Sequence, residues 1–234
     1  MLFLGGLALA TLPLLSPLDD AGERFLLSGH MLQHVLIGDA APLLLVLALR
    51  GPLLIFLLPG FALRPLARLR PLRAALAFLL RPKVSLLTWA LVLGAWHTPA
   101  AYEYALTHQP VHDLEHAFFL LAGLLVWSQL VDPARRRELR LSGRIAFAVA
   151  MFAAGQVLAY VLIFSFTPIY SAYASQEERL LGLSPLTDQR LAGAVMMAEQ
   201  LLTLGACVGL LLRAYVRNAR SHTPGARVSL SSRT

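Results

Sequence analysis

The sequence contains few charged residues and almost no cysteine. Charged residues make up 14% of its 234 residues and the mean hydropathy is +0.65, whereas a soluble domain has about 25% charged residues. This composition excludes a conventional soluble enzyme and an intrinsically disordered chain. The single cysteine, Cys207, excludes an internal disulfide framework and a C-x-x-C metal or redox motif. The composition therefore indicates an integral membrane protein.

Six apolar stretches are long enough for spanning helices, which need about 20 residues. They are residues 1–18, 25–49, 84–102, 111–131, 145–170 and 190–212. The run 51–63 is shorter and is broken by proline and glycine, so we interpret it as a re-entrant or interfacial segment. Residues 1–18 lack the basic start and the cleavage site of a signal peptide, which favours a retained first helix. The sequence predicts an all-α, polytopic transmembrane helix bundle with six spans.

The basic residues are unevenly distributed along this topology. Seventeen of the 20 Lys and Arg residues fall in segments 50–83, 132–144 and 213–234, which lie on one side of a six-span bundle. The positive-inside rule then places both termini in the cytoplasm. We expect a bundle over residues 1–212 and a basic cytoplasmic tail over 213–234. The net charge of +7 is explained by this topology, so no nucleic-acid partner is expected.

Histidines concentrate at the opposite, outer end of the predicted bundle. His30 and His34 are four residues apart at the start of the second span, and His112 and His116 repeat this spacing in the fourth. Residues four apart share one helix face. His97 closes the third span, at the end where the second and fourth begin. Because imidazole binds copper, zinc and haem iron, we expect these five side chains to form a metal or cofactor site.

Five further residues are candidates for additional ligands or supporting groups: Met31, His108, Glu115, Met196 and Met197. Thioether sulfur binds Cu(I), but methionine is also common core filler. An interfacial role is the simpler interpretation of His108. Residues 112–116 also fit the H-x-x-E-H pattern of inverted zinc proteases, but no third ligand follows in a soluble lobe. We therefore expect no enzyme, and Glu115 either bonds a histidine or faces water.

Two acidic residues fall deep within predicted spans. Asp39 lies nine residues after His30, or roughly 13 Å along the helix axis, and Glu199 lies at a comparable depth in the last span. An ionised carboxylate at the bilayer centre costs at least ~2.5 kcal/mol. The two are either protonated, paired through a shared proton, or part of a polar path. A structural hydrogen bond between helices is an equally good interpretation.

Three ordered blocks of the sequence resemble a known family. SGHMLQH at residues 28–34, followed by Ala41-Pro42, resembles the S-x-H-M-x-Q-H…A-P signature of the multi-spanning CtaG family of cytochrome c oxidase assembly factors. WHTP at 96–99, Tyr102 and H-x-x-E-H resemble its next block, and DQ-x-x-AG at 188–193 resembles its last. The blocks extend over residues 16–212. Two features differ: the family often has seven spans, and it tends to have Trp where MMAE stands here.

The resemblance implies a protein of the inner (plasma) membrane that helps to mature a haem-copper oxidase. It implies copper handling at the outer face, an oxidase subunit as partner, and a role for His30, His34, His97, His112 and His116. Two alternatives remain open at this point, a bis-histidine haem electron carrier and a metal-free scaffold for an oxidase subunit. Imidazole ligands alone do not distinguish copper from zinc.

Overall fold

A computed structural model describes residues 1–49, 68–134, 136 and 138–221, and within these ranges the chain consists of helices and connecting loops. The predicted re-entrant segment 51–63 and the end of the tail, 222–234, lie outside the described residues. In chain order the helices are α1 (Leu2–Leu15), α2 (Pro17–Arg24), α3 (Leu27–Ala48), α4 (Arg70–Leu79), α5 (Pro82–Trp96), α6 (Pro99–Thr107), α7 (Gln109–Val131), α8 (Leu141–Phe164), α9 (Ser171–Ala174) and α10 (Pro185–Arg220).

Four of these helices, α3, α7, α8 and α10, are long and apolar enough to cross a membrane by themselves. Two consecutive pairs also qualify when each pair is taken together: α1 and α2 meet at a bend of 57°, and α4 and α5 at a bend of 81°. The described residues thus contain four to six spans. The predicted all-α, polytopic helix bundle is confirmed.

Proline and serine set several helix boundaries. Pro17 and Pro185 occupy the first turns of α2 and α10, and the preceding Ser16 and Ser184 cap these helices through their side-chain oxygens. The predicted span 84–102 is too long, because α5 ends at Trp96, and the expectation that His97 closes this helix is confirmed. Proline disfavours the helical conformation of the residue before it, and Thr98 is extended ahead of Pro99.

The last span is longer than expected. Helix α10 extends from Pro185 to Arg220, beyond the predicted end at residue 212 and into the predicted tail. It packs against α8 and α3, and α3 also packs against α1 and α7. Close approach depends on small residues, as is common between membrane helices. A Cβ on Gly193 would lie 2.7 Å from the carbonyl oxygen of Ala159, and one on Gly123 would overlap the carbonyl oxygen of Gly38.

The interior of the bundle has two core regions. We call the end where α3 and α7 begin the histidine end, and its apolar core contains Leu27, Met31, Tyr102, Tyr170 and Met196, among others. We call the opposite end, where α3 and α7 finish, the arginine end. Its core contains Val46, Val126, Trp127, Leu130, Phe147, Met151 and Leu204.

Between these ends, two helices change locally to π-helical geometry. In α3 the π turn covers Leu36–Ala40, and in α10 it covers Leu201–Gly205. The two turns are joined by a hydrogen bond of 3.1 Å from Thr203 Oγ1 to Asp39 Oδ2. Single π turns within α-helices are rare and are frequent at functional sites.

Candidate metal centre

The start of α3 is fixed by a side chain from α10. Asp188 accepts hydrogen bonds from the backbone N–H groups of Leu27 (2.6 Å) and Ser28 (3.2 Å), and from the Ser28 hydroxyl (2.5 Å). Leu26, the residue at the N-cap of α3, has no side-chain cap of its own. The carboxylate of Asp188 therefore serves as the cap. A negatively charged group at a helix N-terminus is stabilising. This cap sets the position of the first turns of α3, which carry the histidines.

Five histidines converge at the histidine end, and each is at most 6% exposed. His30 Nε2 and His34 Nε2 are 2.7 Å apart on α3, and the rings of His112 and His116 are 4.3 Å apart on α7. The pairs face each other, with ring centroids 5.1 Å apart for His30–His112 and for His34–His116. His97, which follows the end of α5, lies 5.6 Å from His34. The structure thus brings together all five histidines that the spacing predicted to converge.

Two overlapping groups of donor atoms are close enough to hold one ion. The candidate donors of His30, His112 and His116 lie within 4.8 Å of one another, and so do those of His30, His34 and Glu115. Imidazole nitrogens bind a metal ion at about 2.0–2.1 Å, so two ligands of one ion are about 3–4 Å apart. Small side-chain rotations would therefore bring three or four imidazoles onto a single ion.

Several nitrogens of the cluster have no hydrogen-bond partner among the described residues. They are His34 Nδ1, His97 Nε2, His112 Nε2 and both nitrogens of His116. A buried polar group without a partner costs about 1–3 kcal/mol. These five atoms are therefore polar groups that a bound ion could satisfy.

Hydrogen bonds at the back of two rings determine which nitrogen faces the cluster. His97 Nδ1 donates to the carbonyl oxygen of Leu93 at 2.8 Å, so its Nε2 has a free lone pair. The hydroxyl of Tyr173 donates to the carbonyl of Gly22 at 2.7 Å and lies 3.4 Å from His30 Nδ1, which can donate to its oxygen. A carbonyl or hydroxyl behind a metal-binding histidine orients the ring in this way.

Two carboxylates contact the histidines directly. Glu115 is fully buried, and its Oε1 lies 3.5 Å from His34 Nε2. Glu23, on α2, is 20% exposed, and its Oε1 lies 2.9 Å from His112 Nδ1. Helix α2 approaches closely because Gly22 has no side chain, since a Cβ there would lie 2.9 Å from the backbone nitrogen of His30. Glu115 was identified in the sequence, whereas Glu23 was not.

The loop between α8 and α10 covers the cluster with tyrosines. The hydroxyl of Tyr170 donates to the carbonyl oxygen of His97 at 2.9 Å, and the hydroxyls of Tyr173 and Tyr102 are 3.2 Å apart. Burial raises the pKa of Tyr170 and Tyr173 above its ordinary value, so both hydroxyls remain protonated and available as donors.

This loop is fastened at two points. Glu103 Oε1 on α6 accepts hydrogen bonds from the backbone N–H (2.5 Å) and the hydroxyl (2.7 Å) of Ser171. These bonds lower the pKa of Glu103, chiefly through the Ser171 side chain. Gln189 on α10 accepts from the N–H of Ile169 at 2.6 Å and donates to the carbonyl of Leu162 at 3.1 Å.

The remaining candidates lie in different surroundings. His108 is exposed, stacks on Tyr104 with ring centroids 3.9 Å apart, and lies outside the cluster. Met31 is fully buried in the apolar core of the histidine end, where Met196 is also buried and Met197 packs against it. Met196 also lines the cavity that His34 and His97 line. A ligand role for the three methionines stays a prediction.

Asp39 and Glu199 come together between the two ends of the bundle. Asp39 accepts a hydrogen bond from the indole N–H of Trp127 and another from Thr203, and it lines one cavity together with Glu199. The pairing of the two acids through a shared proton stays a prediction. Sequence reasoning missed Trp127 and Thr203 as partners, because both contacts depend on the π turns.

The sequence also missed Asp188 and Tyr173 as supporting residues of the centre. Asp188 belongs to the DQ-x-x-AG block, which was the available signal for it. Tyr173 lies in the short helix α9, between α8 and α10, and had no such signal. Taken together, the five imidazoles and the tyrosine cover form a buried centre with two overlapping groups of donor atoms that could hold a metal ion.

Comparison with known proteins gives one match. A family model described as cytochrome c oxidase caa3 assembly factor (Caa3_CtaG) matches residues 1–218. Neither the curated proteins nor the solved structures contain a match. The resemblance indicated by the three sequence blocks is confirmed by the family model, which covers the whole bundle.

Proposed function

The chain belongs to the cytochrome c oxidase caa3 assembly factor family, and from this we propose that it binds one copper ion in the histidine cluster and passes it to an oxidase subunit. Family membership supports assembly of the oxidase in a multi-pass membrane protein. The identity of the metal as copper and its transfer to an oxidase subunit go beyond family membership. These two parts of the proposal rest on the chemistry of the buried imidazoles.

One observation carries the proposal: buried imidazole nitrogens from three helix ends face one volume without hydrogen-bond partners among the described residues. An ordinary polar core pairs its groups, because each unpaired group costs about 1–3 kcal/mol. Imidazole is a good ligand for copper and zinc, and the oxidase named by the family requires copper. A copper ion would satisfy several of these nitrogens at once.

The close packing of the rings favours a single ion over haem. Neighbouring imidazole centroids in the cluster are 4.3–5.9 Å apart, and Tyr102 fills the adjoining space 5.0 Å from His30. A haem held by one histidine of α3 and one of α7 would need a flat pocket between these helices. The electron-carrier alternative therefore has less support than an ion site.

The accessible side of the site suggests how an ion could enter and leave. Glu23 and His112 are at the mouth, and Glu23 is the partly exposed member of this pair. The acidic residues Asp19, Asp20 and Asp113 also lie at this end of the chain's helices. The positive-inside distribution of arginine puts this end on the outer side of the inner membrane. In that orientation the ion would be received and delivered at the outer face, without catalysis of a reaction.

The test is the metal content of the purified protein and of two single variants. Wild-type protein in detergent, titrated with Cu(I) against a chromophoric chelator, is expected to bind one equivalent. His34→Ala is expected to lose at least about 100-fold in affinity, because it removes a ligand from the centre of the cluster. His108→Ala is the matched control, since this exposed histidine is at the same end but outside the cluster.

The same variants separate the alternatives in cells. Oxidase activity is expected to fall in cells carrying His34→Ala and to stay normal with His108→Ala, while both proteins reach the membrane in equal amounts. A wild-type protein that binds no copper but still co-purifies with an oxidase subunit would make it a scaffold. A Soret band in the purified protein would make it a haem protein. Binding of Zn²⁺ in preference to Cu(I) would overturn the choice of metal.

A further inference from the structure

One cavity is lined by residues of the histidine cluster and by the two half-buried acids. It has a volume of about 40 Å³, and its lining includes His34, His97, Asp39 and Glu199 among mostly apolar side chains. A cavity of roughly 10–15 Å³ is enough for one water molecule. His97 is 94% buried, and its Nε2 has no partner among the described residues. The acids and the histidines therefore line the same interior cavity.

Two hydrogen-bond donors are directed at the carboxyl of Asp39. The indole N–H of Trp127 is directed at Oδ1, and the Thr203 hydroxyl is 3.1 Å from Oδ2. Glu199 lines the same cavity, and its carboxyl oxygens have no hydrogen-bond partner among the described residues. A protonated Glu199 could donate to Asp39. An ionised carboxylate accepts at both oxygens, so a single negative charge on this pair of acids is best satisfied at Asp39.

Local backbone geometry supports this arrangement. Asp39 lies within the π turn of α3. Thr203 lies within the π turn of α10, and this turn begins directly after Glu199 and Gln200. Each π turn shifts the helix register by one residue. As a result, the side chains of Asp39 and Thr203 are directed towards each other. A regular α-helix would rotate these side chains towards different neighbours. The two irregular turns therefore place three polar groups at a single point.

A metal ion bound by neutral imidazoles brings positive charge into a medium of low dielectric constant. Such a charge is costly unless a negative charge lies nearby. Glu115 is closer to the cluster, 3.5 Å from His34, but no donor among the described residues is directed at its oxygens. Asp39 has donors on both oxygens. It is therefore the better site for a permanent buried negative charge.

We propose that Asp39 is the counter-charge for the cation in the histidine cluster, held in place by Trp127, Thr203 and Glu199. This inference rests on the proposed function, since it presumes that a cation binds there. Asp39 does not bind the ion. It acts through space, five residues along α3 from His34 and nine from His30, which averages roughly 10 Å by helix rise.

The experiment compares Asp39→Asn with Glu199→Gln in the purified protein. An asparagine at position 39 can still accept from Trp127 and donate to Glu199, so it removes charge and keeps the shape. A glutamine at position 199 can still donate to Asp39 and leaves the charge in place. Thr203→Val, which loses one donor to Asp39, is expected to fall between the two.

The dependence on ion charge distinguishes an electrostatic role from a structural one. Two unit charges about 10 Å apart, at an effective dielectric constant of about 20, predict a roughly 20-fold loss of Cu(I) affinity in Asp39→Asn. Because Co²⁺ carries two positive charges, the same substitution is expected to lower its affinity by roughly the square of that factor, about 400-fold. Glu199→Gln is expected to change either affinity by less than about threefold. Stoichiometry and the Co²⁺ ligand-field spectrum are expected to stay as in wild type.

A second measurement does not need a metal. The infrared spectrum of the metal-free wild-type protein is expected to contain a carboxylate band that Asp39→Asn lacks and Glu199→Gln retains. Equal affinities of wild type and Asp39→Asn, equal fold losses for Cu(I) and Co²⁺, or absence of that band would each overturn the inference alone. A wild-type protein that binds neither ion would overturn the proposed function and this inference with it.

Discussion

The two ends of the bundle fill their interiors in different ways. At the arginine end, Val126, Leu130 and Leu204 are at most 1% exposed and belong to an apolar core. At the histidine end, an equally buried space contains five imidazoles and Glu115, several of them without hydrogen-bond partners among the described residues. Apolar packing at one end contributes stability that offsets the cost of unpaired polar groups at the other.

The contrast predicts that stability and the proposed metal binding are separated along the length of the same helices. Both α3 and α7 contribute to each end: Val46 and Leu130 to the apolar core, His34 and His116 to the cluster. Substitutions at one end should therefore change one property and leave the other nearly intact. The following four predictions test that separation, from the largest expected effect to the smallest.

His116→Leu is expected to lower Cu(I) affinity by at least about 100-fold, or about 3 kcal/mol. It is also expected to raise the melting temperature of the metal-free protein. Leucine is similar in size, and it removes two buried nitrogens that have no partner among the described residues. Chelator competition and thermal unfolding in detergent measure both quantities. A large drop in melting temperature would show that the imidazole is a structural element.

Leu130→Ala at the arginine end is expected to have the reverse effect. Removing a fully buried leucine leaves a cavity and destabilises the protein by about 2–4 kcal/mol. Copper stoichiometry and affinity are expected to match wild type, measured well below the lowered melting temperature. Leu121→Ala on the same helix is a suitable control because this leucine is 57% exposed. Loss of copper in Leu130→Ala would show that the two ends are coupled.

Asp188→Ala is expected to destabilise the histidine end by about 1–3 kcal/mol, since it leaves the N–H groups of Leu27 and Ser28 without their acceptor. Because the first turns of α3 carry His30 and His34, copper affinity is expected to fall by a few-fold as well. Asp188→Asn retains an acceptor and should recover most of the stability. Hydrogen exchange at the start of α3 locates the effect, and uniform exchange along α3 and α7 would argue against a local cap.

Docking of the loop over the cluster is expected to depend weakly on pH through Glu103. Its pKa is lowered in the folded state, so the stabilising contribution is complete above the ordinary value near 4.5 and is lost as the pH falls through the lower, folded value. Protease cleavage around Ser171 is expected to increase as the pH falls below 4.5. In Glu103→Gln the same acidification should change cleavage less. An unchanged rate in wild type would leave Gln189 as the main anchor of the loop.

Much of the fold and of the cluster follows from sequence periodicity. Long apolar runs define the spans, and the four-residue spacing of His30–His34 and His112–His116 places each pair on one helix face. Connectivity then brings the ends of three helices to the same side. These features depend on local helix geometry, which a sequence specifies directly, and the structure has the five side chains together.

Contacts that depend on irregular backbone were not predictable in the same way. The end of α5 at Trp96 follows from Pro99, but the sequence pattern of apolar residues continues past it. The π turns that direct Asp39 towards Thr203 have no sequence signature comparable to an apolar period. Tyr173 reaches the cluster from α9, in the segment between α8 and α10. The path of this segment depends on tertiary contacts with Glu103 and Gln189.

The Asp188 cap has a consequence for biogenesis. It joins residues 160 positions apart in the chain, so the helix that carries His30 and His34 acquires its proper start after α10 has been synthesised and inserted. A nascent chain still emerging from the ribosome would therefore have an incomplete histidine end. Under the proposed function, metal loading would follow insertion of α10, and chains truncated before the last helix are expected to be unable to sequester copper.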